Sequence, residues 1–88
     1  MKSFTVRGIK FEPLPSMSRK NMFWLEYDSN NFSHNITLNV YRGIWKAEID
    51  GISAVGETPE VAVEGLFLDI EHQIGRLQEM LPPVRLGL

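Results

Sequence analysis

The sequence contains no cysteine, so no disulfide, thiolate zinc site or cysteine nucleophile is available and the fold must rest on packing alone. No run approaches the roughly 18 consecutive apolar residues that a membrane span requires. The start, Met1-Lys2-Ser3-Phe4-Thr5-Val6-Arg7, lacks the apolar stretch of a secretory leader. These absences point to a soluble, cytoplasmic protein, in which the sequons at Asn31-Phe32-Ser33 and Asn35-Ile36-Thr37 are chance matches. Internal repeats and low-complexity tracts are also missing. The chain has 88 residues, which suits one domain with a thin core.

Hydrophobic residues make up 43% and charged residues 23%, an ordinary globular balance that excludes wholesale disorder. The net charge of −2 is unevenly spread: residues 1–46 carry seven Lys/Arg and three acids, whereas residues 47–88 carry two Arg and eight acids. Such polarity orients partners and speeds their encounter.

Ser3 to Glu12 reads as one strand, with Phe4 and Val6 on one parity, Ile9 and Phe11 on the other and a bulge at Gly8. Pro13-Leu14-Pro15 stops pairing, because proline donates no ladder hydrogen bond. Alternation predicts a strand over 22–28, with Phe23, Leu25 and Tyr27 inward, and a loop over 28–34. It predicts another over 35–41, with Ile36, Leu38 and Val40 inward, and a third over 44–50, joined to it by a tight Arg42-Gly43 turn. Ile52 to Val55 is a short extension or an edge segment.

A helix over 59–81 follows. Thr58 is its cap, Pro59 suits the first helical position, and Glu57, Glu60 and Glu64 sit at the positive end of the dipole. Val63, Leu66, Phe67, Ile70, Ile74, Leu77 and Leu81 recur at steps of three and four, forming one apolar stripe. Pro82-Pro83 stops the helix. The expected fold is α+β: an antiparallel meander of about four strands with one long C-terminal helix packed on one face, in a single domain spanning 1–88. The tail 82–88 alternates Val84, Leu86 and Leu88, as an extended segment that adds to a sheet edge does.

Catalytic and metal-binding patterns are lacking. His34 falls in or beside a loop. His72, three residues from Asp69, decorates a solvated helix face. No H-E-x-x-H, G-x-S-x-G or phosphate-cradling glycine loop occurs, so no enzyme activity, metal or cofactor is expected. The uncovered sheet face is expected to carry Trp24, Thr37, Tyr41, Lys46 and Glu48. Trp24 and Tyr41 near Arg42 and Lys46 would suit base stacking, which makes a single-stranded nucleic-acid binder the alternative function. Glu26, Asp28, Glu48 and Asp50 share that parity and oppose it.

A second helical stripe, Val61, Gly65, Leu68, His72 and Gly75, runs opposite the first. Mid-helix glycine costs about 0.8–1 kcal/mol relative to alanine, so two on one face imply a close approach, read here as another chain: a dimer seam or a docking ridge. The plainer reading treats Val61 and Leu68 as isolated surface apolars.

The segment from Trp45 to Leu66, through Gly51, Gly56, Thr58, Glu60 and Ala62, resembles the HicB-type antitoxin family, in which a strand ends at glycine and a Gly-x-Thr turn leads into an Ala-containing helix. The resemblance covers about a quarter of the chain, and no DNA-binding arm or toxin-contacting residue carries over. It implies a small module that binds and blocks a partner protein. The expected function is therefore a non-enzymatic protein-interaction module, an antitoxin-like or phage-type inhibitor, using Val61, Gly65, Leu68, His72 and Gly75 on the helix and Trp24 with Tyr41 on the sheet.

Overall fold

Three two-residue turns of one design set the topology. Arg7-Gly8, Arg42-Gly43 and Asp50-Gly51 all have positive φ at both positions, between 50° and 83°. That is the type I′ geometry, whose twist matches the twist of paired strands. The structure, a computed structural model, describes residues 1–16, 18–29 and 31–72. Its strands are β1 (Phe4–Val6), β2 (Ile9–Pro13), β3 (Met22–Ser29), β4 (Phe32–Tyr41), β5 (Ile44–Ile49) and β6 (Ile52–Gly56), followed by the helix α1 (Pro59–Glu71). The strands form one antiparallel sheet in the order β1-β2-β3-β4-β5-β6.

The α+β class is as expected, but six strands replace about four. The strand read over 3–12 is a hairpin, with Val6 opposite Ile9 and Phe4 opposite Phe11. The parity change at Gly8 is a reversal of the chain that keeps all four apolar residues on one face, and no bulge is involved. The loop read over 28–34 shrinks to a tight turn, with Ser29 opposite Phe32 and Asn31 at φ 67°. Ile52 to Gly56 is a full strand, paired along its length with Trp45 to Ile49.

The helix begins as its sequence requires. Thr58 is extended (φ −134°, ψ 160°), and its hydroxyl accepts the Val61 N–H at 3.1 Å while Pro59 opens the first turn. Within the described residues α1 ends at Glu71, capped by His72. The remainder of the expected helix, with Ile74, Gly75, Leu77 and Leu81, and the tail 82–88 lie outside them.

Val63, Leu66, Phe67 and Ile70, joined by Ala62, are buried against Phe11, Leu25, Tyr27, Ile36, Leu38 and Ala47 of the sheet. Phe11 is the hub of the aromatic packing, with ring centroids 4.6 Å from Tyr27, 5.5 Å from Phe4 and 5.8 Å from Phe67. A flat sheet would hold its outer strands about 24 Å apart, at about 4.8 Å per step. A helix with side chains is only about 10–12 Å across, yet α1 packs against both β1 and β6. The sheet must therefore curl into an open half-barrel, with the helix packed in its hollow between β1 and β6.

The approach of β6 to α1 leaves no room for a side chain at Gly56, where a Cβ would lie 2.6 Å from Val61 Cγ1 and 2.7 Å from the Ala62 backbone nitrogen. At Gly65 the corresponding atom would meet only the Ala54 Cβ, at 3.1 Å. We expect Gly56→Ala to cost about 1–3 kcal/mol through overpacking. Gly65→Ala recovers helix propensity of about 1 kcal/mol and should cost less. Urea unfolding of both variants checks the order, and an equal or larger loss for Gly65→Ala would contradict it.

Candidate functional site

The outer face of α1 is not uniformly polar. Val61 is 54% and Leu68 48% exposed, one on each side of Gly65. These three form the floor of a groove of about 500 Å³ whose walls are Thr5 and Val6 of β1 and Val55 of β6, with Glu60 and Glu64 on the rim. The helical spacing 61, 65, 68 thus does bring together three of the residues singled out in the sequence. The reason for Gly65 differs from the expectation: the atom it makes room for is Ala54 of the chain's own β6, so this glycine does not require a second chain. His72 lies past the groove and is exposed, its backbone N–H directed at the Asp69 and Ile70 carbonyls. Gly75 lies outside the described residues.

Arg7 fixes the β1 wall. From the β1–β2 turn its Nε donates to Glu64 Oε2 and its Nη2 to Glu71 Oε1, each at 2.6 Å. The guanidinium carbon sits 5.6 Å from the Phe67 ring centroid. Partial burial alone would lower the pKa of Arg7, but the hydrogen bonds with Glu71 and Glu64 outweigh it and hold the group above its ordinary value. The guanidinium is therefore charged throughout the neutral range, and its contribution is lost only as pH rises through that raised value. Glu64 and Glu71 share this one cation, and Glu60 on the groove rim has no ion pair within the described residues.

The open sheet face offers no single platform. Trp24 stands opposite Thr37, and Tyr41 is four residues further along β4, about 13 Å away at about 3.3 Å per residue. Trp24 is half-buried beside a small cavity of about 230 Å³ that also touches Thr37 and Glu48. Tyr41 is 71% exposed, with the Arg42 guanidinium carbon 5.2 Å from its ring centroid. It borders a separate, shallow depression with Ile44, Lys46 and Val55. Val55, 64% exposed, lines both this depression and the groove.

His34 is placed in β4, opposite Tyr27, and not in a loop. Its Nε2 lies 3.2 Å from the Ser29 carbonyl oxygen and its ring 5.4 Å from that of Tyr27. Burial pushes the Tyr27 phenol well above its ordinary pKa, which makes it a core residue and a poor acid. Among the described residues no group of three or more His, Asp or Glu side chains is placed to hold a metal ion, and no helix is long and apolar enough to cross a membrane.

Sequence reasoning overlooked Arg7 and Val55. The pair Glu64 and Glu71, seven apart on one helix face, was the available hint that a cation spans them. Val55 follows from parity once β6 is recognised as a strand.

Comparison with known proteins gave no match, whether to protein-family models, curated proteins or solved structures. The residues that resemble the HicB-type pattern form β5, β6 and the first turns of α1.

Arg7→Met should cost on the order of 1 kcal/mol or less, as expected of a partly exposed ion pair. The gap from the parent should narrow in about 1 M NaCl, where charges are screened within about 3 Å. Urea midpoints at low and high salt check this, and a gap that is unchanged by salt would show that Arg7 acts only through its packing on Phe67.

Proposed function

We propose that the chain is a non-enzymatic protein-interaction module that binds a partner protein and occludes it, in the manner of an antitoxin-like or phage-type inhibitor. One observation carries this reading: the fold covers the inner face of α1 completely and leaves an apolar groove over Val61, Gly65 and Leu68 on its outer face. Val55 extends the groove at its edge. Contiguous exposed apolar surface bounded by charge is characteristic of protein contact sites.

The reading as a single-stranded nucleic-acid binder is weaker. Trp24 and Tyr41 stand apart on the open face, and Glu26, Asp28 and Glu48 on that face repel phosphates. The groove is therefore the primary surface, and Trp24 with Tyr41 the secondary one.

An affinity capture with the parent chain, a Val61→Asp/Leu68→Asp variant and Trp24→Ala tests this, with circular dichroism confirming that each is folded. The expected result is a discrete protein retained by the parent and by Trp24→Ala, and lost by the groove variant. Retention unchanged in both variants, or salt-sensitive retention of nucleic acid instead of protein, would overturn the proposal.

A further inference from the structure

Resting on the groove as the binding site, we infer that in the unbound protein it is covered by a second copy of this chain, set in reverse across a two-fold axis near Val55. The apolar surface indicates where the copies meet. Among the described residues seven large apolar side chains stand exposed, and five of them, Tyr41, Ile44, Val55, Val61 and Leu68, form one strip. Val55 joins its halves, because it lines both the groove over α1 and the depression that holds Tyr41 and Ile44.

The two halves are opposite in charge. Arg42 and Lys46 border the depression, whereas Glu60 and Glu64 border the groove. Tyr41, the most exposed of the five, stands at the end of β4, and the groove of about 500 Å³ has room for its ring. A half-turn about Val55 exchanges the halves: Tyr41 and Ile44 of each copy come over Val61 and Leu68 of the other, and Arg42 and Lys46 come to Glu60. Because a two-fold contact repeats every pair, both sets form together and the assembly closes at two copies.

Charge also selects this occupant. A foreign partner has to bring acids to Arg42 and Lys46 and a cation to Glu60, at the spacing of this strip, whereas the reversed copy brings both by symmetry. Arg42 has no ion pair within the described residues, its guanidinium carbon lying 5.2 Å from the Tyr41 ring centroid, and Lys46 reaches Glu48 only at 4.0 Å. Glu60, exposed on the groove rim, is unpaired as well. Joining two β6 edges into one continuous sheet would not match these charges, since it runs the two outer faces together and leaves the cations on one side and the acids on the other. A copy seated on the groove keeps it covered until a tighter partner displaces it.

Sedimentation equilibrium of the full chain over a concentration series tests this, with circular dichroism confirming that every variant is folded. The parent should pass from one copy to two and no further. Tyr41→Ala and the Val61→Asp/Leu68→Asp groove variant should remain single. Glu60→Lys and, separately, Arg42→Asp/Lys46→Glu should each weaken association at least about tenfold, since every altered contact occurs twice. Aspartate suits position 42 because it tolerates the positive φ there. An equal mixture of these two variants should pair at least about tenfold more tightly than either alone, because position 60 of each copy again meets opposite charge.

A parent that stays single at every concentration, one whose mass climbs past two copies, or a mixture no tighter than its parts would overturn the inference. So would a pair that survives in either Tyr41→Ala or the groove variant. If the parent is single while the groove variant loses its captured protein, the second copy is wrong and the interaction module stands. If the mixture pairs while the groove variant keeps its captured protein, the module reading falls and the two-fold contact stands.

Discussion

The burial of one face of α1 in the hollow of the sheet is the interaction on which the rest of the molecule depends. Phe67 meets Phe11 and Tyr27 at ring centroid distances of 5.8 and 5.7 Å, and Ala62, Val63, Leu66 and Ile70 are buried with it. Each large side chain so buried contributes about 1.5–3 kcal/mol. A chain of this size has no second core to fall back on. The helix also decides the shape of the sheet, because it can touch β1 and β6 together only if the six strands curl around it. Arg7, bound to Glu64 and Glu71 and lying over Phe67, holds the β1 side of that arrangement in place.

A helix laid in the gap of a half-barrel has an inner face that is covered and an outer face that is not. The outer face of α1 is bordered by β1, which Arg7 follows, and by the uncharged β6. Its floor is apolar, and Glu60 and Glu64 stand on its rim, Glu64 bound to Arg7. The apolar strip between Val55 and Leu68 is what supports the proposal that the protein binds a partner.

Much of this was legible because it is local. The alternations Phe23/Leu25/Tyr27 and Ile36/Leu38 were sufficient to orient β3 and β4, and the Thr58-Pro59 start of α1 follows from capping chemistry alone. The stripe Val61, Gly65 and Leu68 follows from helical periodicity. What escaped was tertiary or ambiguous. Arg7-Gly8 makes a hairpin turn without the Asn or Asp that usually announces one, so the parity change beside it resembled a bulge. Asp50-Gly51 carries the stronger signal, yet the five residues after it were too few to secure a strand. Gly65 signalled a close neighbour, but not that the neighbour is Ala54. Trp24 and Tyr41 share a face by parity, and only the strand register shows them four residues apart.

The two faces of α1 are represented by adjacent residues, Phe67 inward and Leu68 outward. Urea unfolding of Phe67→Ala beside Leu68→Ala is the most direct measurement of whether the helix is anchored by one face and free on the other. Phe67→Ala should lose about 3–5 kcal/mol, the usual cost of emptying an aromatic site, or fail to fold at all. Leu68→Ala should stay within about 0.5 kcal/mol of the parent, as surface substitutions do. Losses of similar size in the two variants would contradict the account, because the outer stripe would then be part of the protein's own core and not a surface for a partner.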